Sequence, residues 1–227
     1  MNQIIAIGGG GFSPGPKSID RYILSQSNCA TPSVCFLPTA SGDADIHVAR
    51  FYETYCTLPC KPTHVPLFRR TPDLRKVLLS QNIIFVGGGN TKSMIAVWKE
   101  WGLPEILQEA LSQGIILSGT SAGAICWFAQ GITDSWAGAL YTLDCLNFLP
   151  GSCCPHYDGE VDRRPSYLDM VRTGKAQAGI ALCDNAAAHF KNGSLNRVVV
   201  VTEKAKAFRV FAESGEVKEE ALPAELL

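Results

Sequence analysis

The stretch Ile115–Gly123, IILSGTSAG, constrains this chain more than any other. A short apolar run, Ile115-Ile116-Leu117, ends in Gly119-Thr120-Ser121-Ala122-Gly123. This is a G-x-S-x-G placed where a buried strand turns sharply into a helix. Glycines flank the serine because the turn is strained and neighbouring elements pass close to it. The strain pushes the hydroxyl out over the carboxyl edge of a sheet. A plainer reading of the same residues is a glycine-rich junction at which Ser121 only caps the following helix.

The rest of the chain supplies the setting that such a turn needs. Apolar runs expected as strands at Gln3–Ile7, Ser33–Leu37, Thr63–Leu67, Asn82–Val86 and Ile115 onward alternate with helical patterns. Those helices are expected at 18–24, 45–57, 72–79, 92–101 and 103–113, with Pro72 and Pro104 in first turns. Further strands are expected at Leu149–Cys154 and Gly179–Cys183, with a helix over 164–173 between them. Ala187–Lys191, Asn196–Val201 and Ala207–Phe211 then read as strands joined by turns at Asn192-Gly193 and Ser214-Gly215. The expected fold class is α/β. A mostly parallel, doubly wound sheet carries helices on both faces, and an antiparallel β meander follows at the C-terminus. No linker or repeat interrupts it, so residues 1–227 read as one domain.

Two glycine runs stand at strand ends. Gly8–Gly11 lacks the spacing of a nucleotide-binding loop and reads as a tight turn. Gly87-Gly88-Gly89-Asn90-Thr91 follows NIIFV and precedes a helix, so its backbone N–H groups suit an oxyanion.

In an open parallel sheet, ligands bind beyond the carboxyl ends of the strands. Gly89, Ser121, His156 and Asp184 each follow an apolar run. If the runs before His156 and Asp184 join the same sheet in the same direction, all four residues meet at one edge. A serine, a histidine and a carboxylate there make a hydrolase triad. Asp134, in the loop after the nucleophile helix, is the alternative acid. Of the other histidines, His47 sits in a polar stretch of helix, His64 on a weak strand, and His189 in AAAHFK, where a structural role is expected.

Composition narrows the partners. Lys+Arg is 20 and Asp+Glu is 21, so no basic excess steers nucleic acid or an anionic membrane to the chain. No apolar run approaches the roughly 20 residues that span a bilayer, and MNQIIAIGGGG has no charged n-region of a signal peptide. The nine cysteines are scattered in apolar runs and lack paired zinc-ligand spacing. A cytoplasmic protein without metal or cofactor is expected. Homodimerisation is left open.

Three motifs in order, Val86-Gly87-Gly88-Gly89-Asn90-Thr91, Gly119-Thr120-Ser121-Ala122-Gly123-Ala124 and Pro155-His156-Tyr157, resemble the peptidase E (α-aspartyl dipeptidase) and cyanophycinase family of serine peptidases. The resemblance runs from the first strand to the final meander. It implies a class I glutamine amidotransferase-like fold with serine in place of cysteine. It implies Ser121 as nucleophile, His156 as base, and Gly88, Gly89 and Ala122 as oxyanion donors. The third member, usually Glu in peptidase E, falls on Asp184, with Asp134 as rival. It also implies substrate contacts at Asn90 and at Arg163, the latter for an aspartyl carboxylate. The activity implied is acyl-enzyme hydrolysis of small peptides by an exopeptidase or dipeptidase. Two rivals are a cyanophycinase-like hydrolase of β-aspartyl peptides and an inactive binding domain on the same fold.

Overall fold

A computed structural model describes residues 1–10 and 18–227. Gly11, the last glycine of the first run, lies outside the described residues. Among them, strands form an eight-stranded and a six-stranded sheet. Five strands of the first sheet are parallel: β1 (Gln3–Ile7), β2 (Ser33–Leu37), β3 (Lys61–His64), β4 (Ile83–Val86) and β5 (Ile116–Thr120). They lie in the order β1-β5-β4-β2-β3.

The inner strands β1, β2, β4 and β5 are buried on both faces, which is why they read as mostly apolar runs, while the edge strand β3 is polar and only half-buried. Alternate residues serve opposite faces. Ile5, Ile7, Phe36 and Phe85 pack on α1 (Ser18–Ser25) and α2 (Asp45–Tyr55), where Ile23, Phe51 and Tyr55 meet them. Ile4, Ala6, Leu37, Val86 and Leu117 face the other way. There they meet Leu78 of α3 (Leu74–Leu78), Met94 and Trp98 of α4 (Thr91–Glu100), and Leu107 of α5 (Leu103–Ser112). Full burial of one such side chain stabilises the fold by about 1.5–3 kcal/mol. The polar Ser118 survives inside β5 because its hydroxyl donates to the Ile5 carbonyl at 3.0 Å.

Helix starts follow side-chain chemistry. Asp73 accepts from the Lys76 N–H at 3.0 Å and begins α3, so Pro72 stands before the cap and not in the first turn. Asn90 caps α4 by accepting from the Ser93 N–H at 2.9 Å.

The second sheet corrects the sequence reading. The runs Leu149–Cys154 (β8) and Gly179–Leu182 (β9) do not join the sheet of β5; they pair with each other, in parallel, in the second sheet. Short α6 (Ala122–Ile125) leads into β6 (Phe128–Thr133), which pairs with β8 and with β7 (Tyr141–Asp144). β6 and β7 were not legible, because FAQGIT and YTLD lack clear alternation and Gly131 interrupts the first. The C-terminal antiparallel strands are shared between the sheets. β10 (Ala186–Lys191) and β11 (Ser194–Val200) extend the first sheet beside β1. β12 (Ala207–Glu213) and β13 (Glu216–Ala221) extend the second beside β9. β14 (Ala224–Leu226) pairs with β11, and α7 (Arg163–Arg172) covers the outer face of the second sheet through Tyr167 and Val171.

The two sheets meet at the corner after β1. The Gly8 carbonyl accepts from the His156 N–H at 3.1 Å, and the Gly9 carbonyl accepts from the Asn185 N–H at 3.1 Å. The ends of β8 and β9 are thereby laid over the carboxyl edge of the first sheet. No helix among the described residues is long and apolar enough to cross a membrane.

Candidate active site

β5 and β4 run in register, Val86 beside Gly119, so their two glycine-rich turns leave the sheet side by side. Ser121 holds φ 57° and ψ −114°, a conformation that costs an L-residue about 1–3 kcal/mol. Its neighbours must be glycine for lack of space. A Cβ on Gly119 would lie 2.4 Å from the Gly123 carbonyl oxygen, and one on Gly123 would lie 2.2 Å from that of Val86. The serine precedes α6, yet its side chain makes no capping bond. Its hydroxyl lies 2.9 Å from His156 Nε2 instead. The plain capping reading therefore has no geometric support.

His156 Nδ1 lies 2.7 Å from Asp184 Oδ1. The hydrogen bond to His156 is the largest influence on Asp184 and holds its carboxyl below the ordinary carboxylate range; burial opposes it, and the charges of His156 and Arg163 add to the lowering. An ionised Asp184 can only accept, so Nδ1 carries the proton and Nε2 is left to accept from the serine hydroxyl. Asp184 is itself held from behind, its N–H donating to Asp158 Oδ1 at 2.9 Å. Asp134 is not at the imidazole; it lies 3.5 Å from Arg163 Nη2.

The pairing makes a pH prediction. A carboxyl lowered by folding contributes stability that is present above its unfolded value, about 3.9, and lost as the pH falls through its folded value. Asp184→Asn should therefore lower the urea midpoint most near neutral pH, and the gap to the parent protein should close as the pH falls below about 4. A gap independent of pH would contradict this pairing.

The glycine turn after β4 sits against the serine. A Cβ on Gly88 would come within 3.2 Å of Ser121 Cβ. Gly89 has φ 137°, and its Cβ would strike the Ala40 carbonyl oxygen at 2.2 Å, so no other residue fits there. Among the described residues the Gly88 and Gly89 N–H groups donate to no carbonyl. Ala122 opens α6, where the N–H has no partner within its own helix. These are the three sequence-expected oxyanion donors, grouped around Ser121.

Two expected substrate contacts are otherwise engaged. Asn90 accepts from Ser93 and donates through Nδ2 to the Ser135 carbonyl at 3.1 Å, so it caps α4 and ties down the 134–140 loop. Arg163 is buried. Its Nε donates to Glu160 at 2.5 Å, Nη1 to the Ile132 carbonyl at 3.3 Å, and Nη2 faces Asp134. The guanidinium fork is spent on the fold and leaves no pair of donors for an incoming carboxylate. It braces the turn Gly159-Glu160, whose N–H groups donate to the His156 carbonyl.

Sequence reasoning missed several contributors. A Cβ on Gly9 would lie 1.9 Å from Asp184 Oδ1 and 2.6 Å from His156 Nδ1, and one on Gly159 would lie 2.6 Å from Asp184 Oδ2. These glycines make room for the histidine–aspartate pair. The run Gly8–Gly11 gave the signal but was read only as a turn. His47 and Arg50 of α2 line a cavity of about 250 Å³ together with Ser121, His156 and Gly88. His189 is structural, as expected: fully buried between Tyr22 Oη at 2.7 Å and Gln3 Oε1 at 3.0 Å, with its pKa pushed by burial to about 4.

Comparison with known proteins agrees with this architecture. The chain is 49% identical over its whole length, and the whole of the relative, to "Uncharacterized peptidase YgaJ" of Bacillus subtilis. It is 25% identical to "Peptidase E" of Haemophilus influenzae over 55% of this chain and 61% of that protein. The crystal structure of a peptidase from an acI-B1 actinobacterium superposes with TM-score 0.73 at 15% identity, over 99% of this chain and 95% of that one, a likeness of fold. The model of peptidase family S51 matches residues 4–198, and the chain is a member of that family.

Proposed function

We propose that this peptidase cleaves small peptides by a serine mechanism through an acyl-enzyme. The observation that carries the reading is the unbroken line of bonds from Ser121 Oγ to His156 to Asp184, beside a cavity of about 250 Å³. Ser121 Oγ attacks the scissile carbonyl while His156 Nε2 takes the hydroxyl proton. Negative charge gathers on the carbonyl oxygen and is met by the N–H groups of Gly88, Gly89 and Ala122. The tetrahedral adduct collapses, and the imidazolium returns its proton to the leaving amine. A water molecule, deprotonated by the same imidazole, then attacks the acyl-serine ester. The acid product departs, and the serine recovers its proton. Asp184 fixes the ring tautomer and stabilises the imidazolium throughout. The preferred substrates are dipeptides with an N-terminal aspartyl residue, in line with the resemblance of the three motifs to aspartyl dipeptidases. The nine free thiols, mostly packed as small hydrophobes, fit a reducing cytoplasm.

The cyanophycinase-like alternative needs acidic groups near the serine to receive the arginines of its substrate. Among the described residues, no Asp or Glu lines the cavity at Ser121, which favours the dipeptidase reading. The inactive-domain alternative leaves the bonded serine–histidine pair without a purpose.

The test is labelling and turnover together. A fluorophosphonate probe should modify Ser121 and no other serine, with the adduct located by peptide mass mapping. Release of X from Asp-X dipeptides should exceed release of β-Asp-Arg from its oligomer by at least tenfold. Folded protein that takes up no probe and cleaves neither substrate would sink the proposal.

A further inference from the structure

His156 is held in a backbone conformation that is uncommon for any residue but glycine. Its φ is 51°, in the left-handed region where an L-side chain is strained. Strain of this kind persists only where the surroundings over-determine it. Three bonds act on the residue itself. Its N–H donates to the Gly8 carbonyl at 3.1 Å, and its carbonyl accepts from the N–H groups of Gly159 and Glu160 at 3.2 and 3.3 Å. The next residue, Tyr157, adds a hold from a distant part of the chain.

Tyr157 is buried, with its N–H on the Leu182 carbonyl at 3.1 Å and its ring against those of Tyr167 and Phe208. A buried phenol needs a partner for its hydroxyl. That partner is Glu219 Oε1, at 2.5 Å. Burial, and after it the bond to Glu219, push the phenol above its ordinary range, so it remains a donor. Glu219 stands on β13, at the edge of the second sheet. Charges on an edge strand normally face water and guard against stray pairing, as Glu216 and Glu220 of the same strand do. The side chain of Glu219 is only 15% exposed. Its second oxygen accepts from Arg164 of α7, whose guanidinium lies over the rings of Tyr157 and Phe208 at 5.8 and 5.7 Å. A carboxylate this far out of water needs such partners. One side chain of the β12–β13 hairpin thus fastens both the residue after His156 and the start of the helix that follows. Among the described residues, none of Tyr157, Arg164 and Glu219 lines the cavity at Ser121.

We infer that Glu219 is a positioning residue: through the Tyr157 hydroxyl it keeps the turn at His156 left-handed, and so keeps the imidazole between Ser121 Oγ and Asp184. The inference rests on the hydrolase reading above. Without the bond, the Tyr157 ring is free to shift, the strained residue before it relaxes, and the imidazole leaves the line. A displacement of about 1 Å caused by a remote change costs a reaction about 100-fold. The loss falls on kcat and not on KM, because the cavity that takes the substrate is untouched.

The experiment has two arms. In the kinetic arm, kcat and KM for Asp-Leu are measured on the parent protein, Tyr157→Phe, Glu219→Ala, Glu219→Gln and the double variant Tyr157→Phe/Glu219→Ala. Tyr157→Phe and Glu219→Ala should each lower kcat about 10- to 100-fold, with KM little changed. Glu219→Gln, whose amide oxygen still accepts from the phenol, should recover most of the loss. The double variant should be little worse than either single one, since both remove the same bond. In the spectroscopic arm, the proton between His156 Nδ1 and Asp184 is followed by NMR of full-length protein carrying isotope-labelled histidine, with Asp184→Asn as the blank. Its resonance should broaden or vanish in Tyr157→Phe and Glu219→Ala and persist in Glu219→Gln. Unchanged kcat in folded Tyr157→Phe, or a fall in kcat with the resonance unmoved, overturns the inference and leaves the hydrolase reading standing. Tyr157→Phe, the milder change, decides the matter if Glu219→Ala does not fold. A raised KM at constant kcat also overturns it, by moving the effect of Glu219 to substrate binding. In a parent protein that cleaves no peptide, a His156 resonance that depends on Glu219 supports the positioning and sinks the hydrolase reading.

Discussion

Ser121→Ala should abolish peptide turnover, lowering kcat by about 10⁴- to 10⁶-fold, while the protein stays folded. In the proposed mechanism the effect is this large because the serine and the imidazole act as one unit. Without the hydroxyl there is no acyl-enzyme, and without the imidazole the hydroxyl keeps its proton. His156→Ala should therefore cost about as much as Ser121→Ala, and the double variant should be little worse than either. A simple sum of the two losses would mean that the 2.9 Å contact between Oγ and Nε2 is incidental to the reaction. Stability gives a second reading of the same position. Alanine keeps the strain at φ 57°, whereas glycine relieves it. Ser121→Gly should thus show a higher urea midpoint than Ser121→Ala, with both inactive. A capping serine would give the same stability order, since Ser→Ala costs about 1 kcal/mol and glycine only a few tenths, so turnover is what separates the two: it would stay largely intact.

Much of this site was legible because it follows local rules. The strand–glycine–serine–glycine–helix order identifies the turn at Ser121 from spacing alone. The inner parallel strands β1, β2, β4 and β5 are mostly apolar, because both of their faces are buried, so their positions stood out, whereas the polar edge strand β3 begins two residues before the stretch expected from sequence. What could not be read was the long-range pairing. Leu149–Cys154 and Gly179–Leu182 look like strands of any sheet, and nothing in their composition says that they pair with each other. Their ends still deliver His156 and Asp184 to the serine, because hydrogen bonds to Gly8 and Gly9 fasten the second sheet onto the edge of the first. The choice between Asp184 and Asp134 was undecidable for the same reason. Each follows or ends a strand, and only tertiary contact sends one to the imidazole and the other to Arg163. Arg50 was passed over because an exposed arginine on an amphipathic helix carries no local signal. Its cavity is formed by residues brought together from five separated stretches of chain.

Gly9→Ala should be the most damaging substitution outside the proposed triad of Ser121, His156 and Asp184, lowering kcat by about 10³- to 10⁴-fold, approaching the loss known for removing a triad carboxylate. Gly9 does not have a positive φ, so alanine meets no backbone strain there; the obstacle is space. The added methyl would overlap Asp184 Oδ1 at 1.9 Å and His156 Nδ1 at 2.6 Å. Both are the ends of side chains, which can swing away, so the fold survives while the pair separates. Gly8 makes the contrast. A methyl there would sit 2.2 Å from the Cys183 carbonyl oxygen and 2.6 Å from that of Leu182, atoms of backbone that cannot yield cheaply. Gly8→Ala should therefore lower the urea midpoint sharply, whereas Gly9→Ala should lower it little and strike the chemistry. Fluorophosphonate labelling of Ser121 in Gly9→Ala should slow in parallel with kcat, since the displaced imidazole no longer draws off the serine proton. Full activity in a folded Gly9→Ala protein would show that the His156–Asp184 contact contributes little to the reaction. The role of the first glycine run would then reduce to the tight turn that its sequence alone announces.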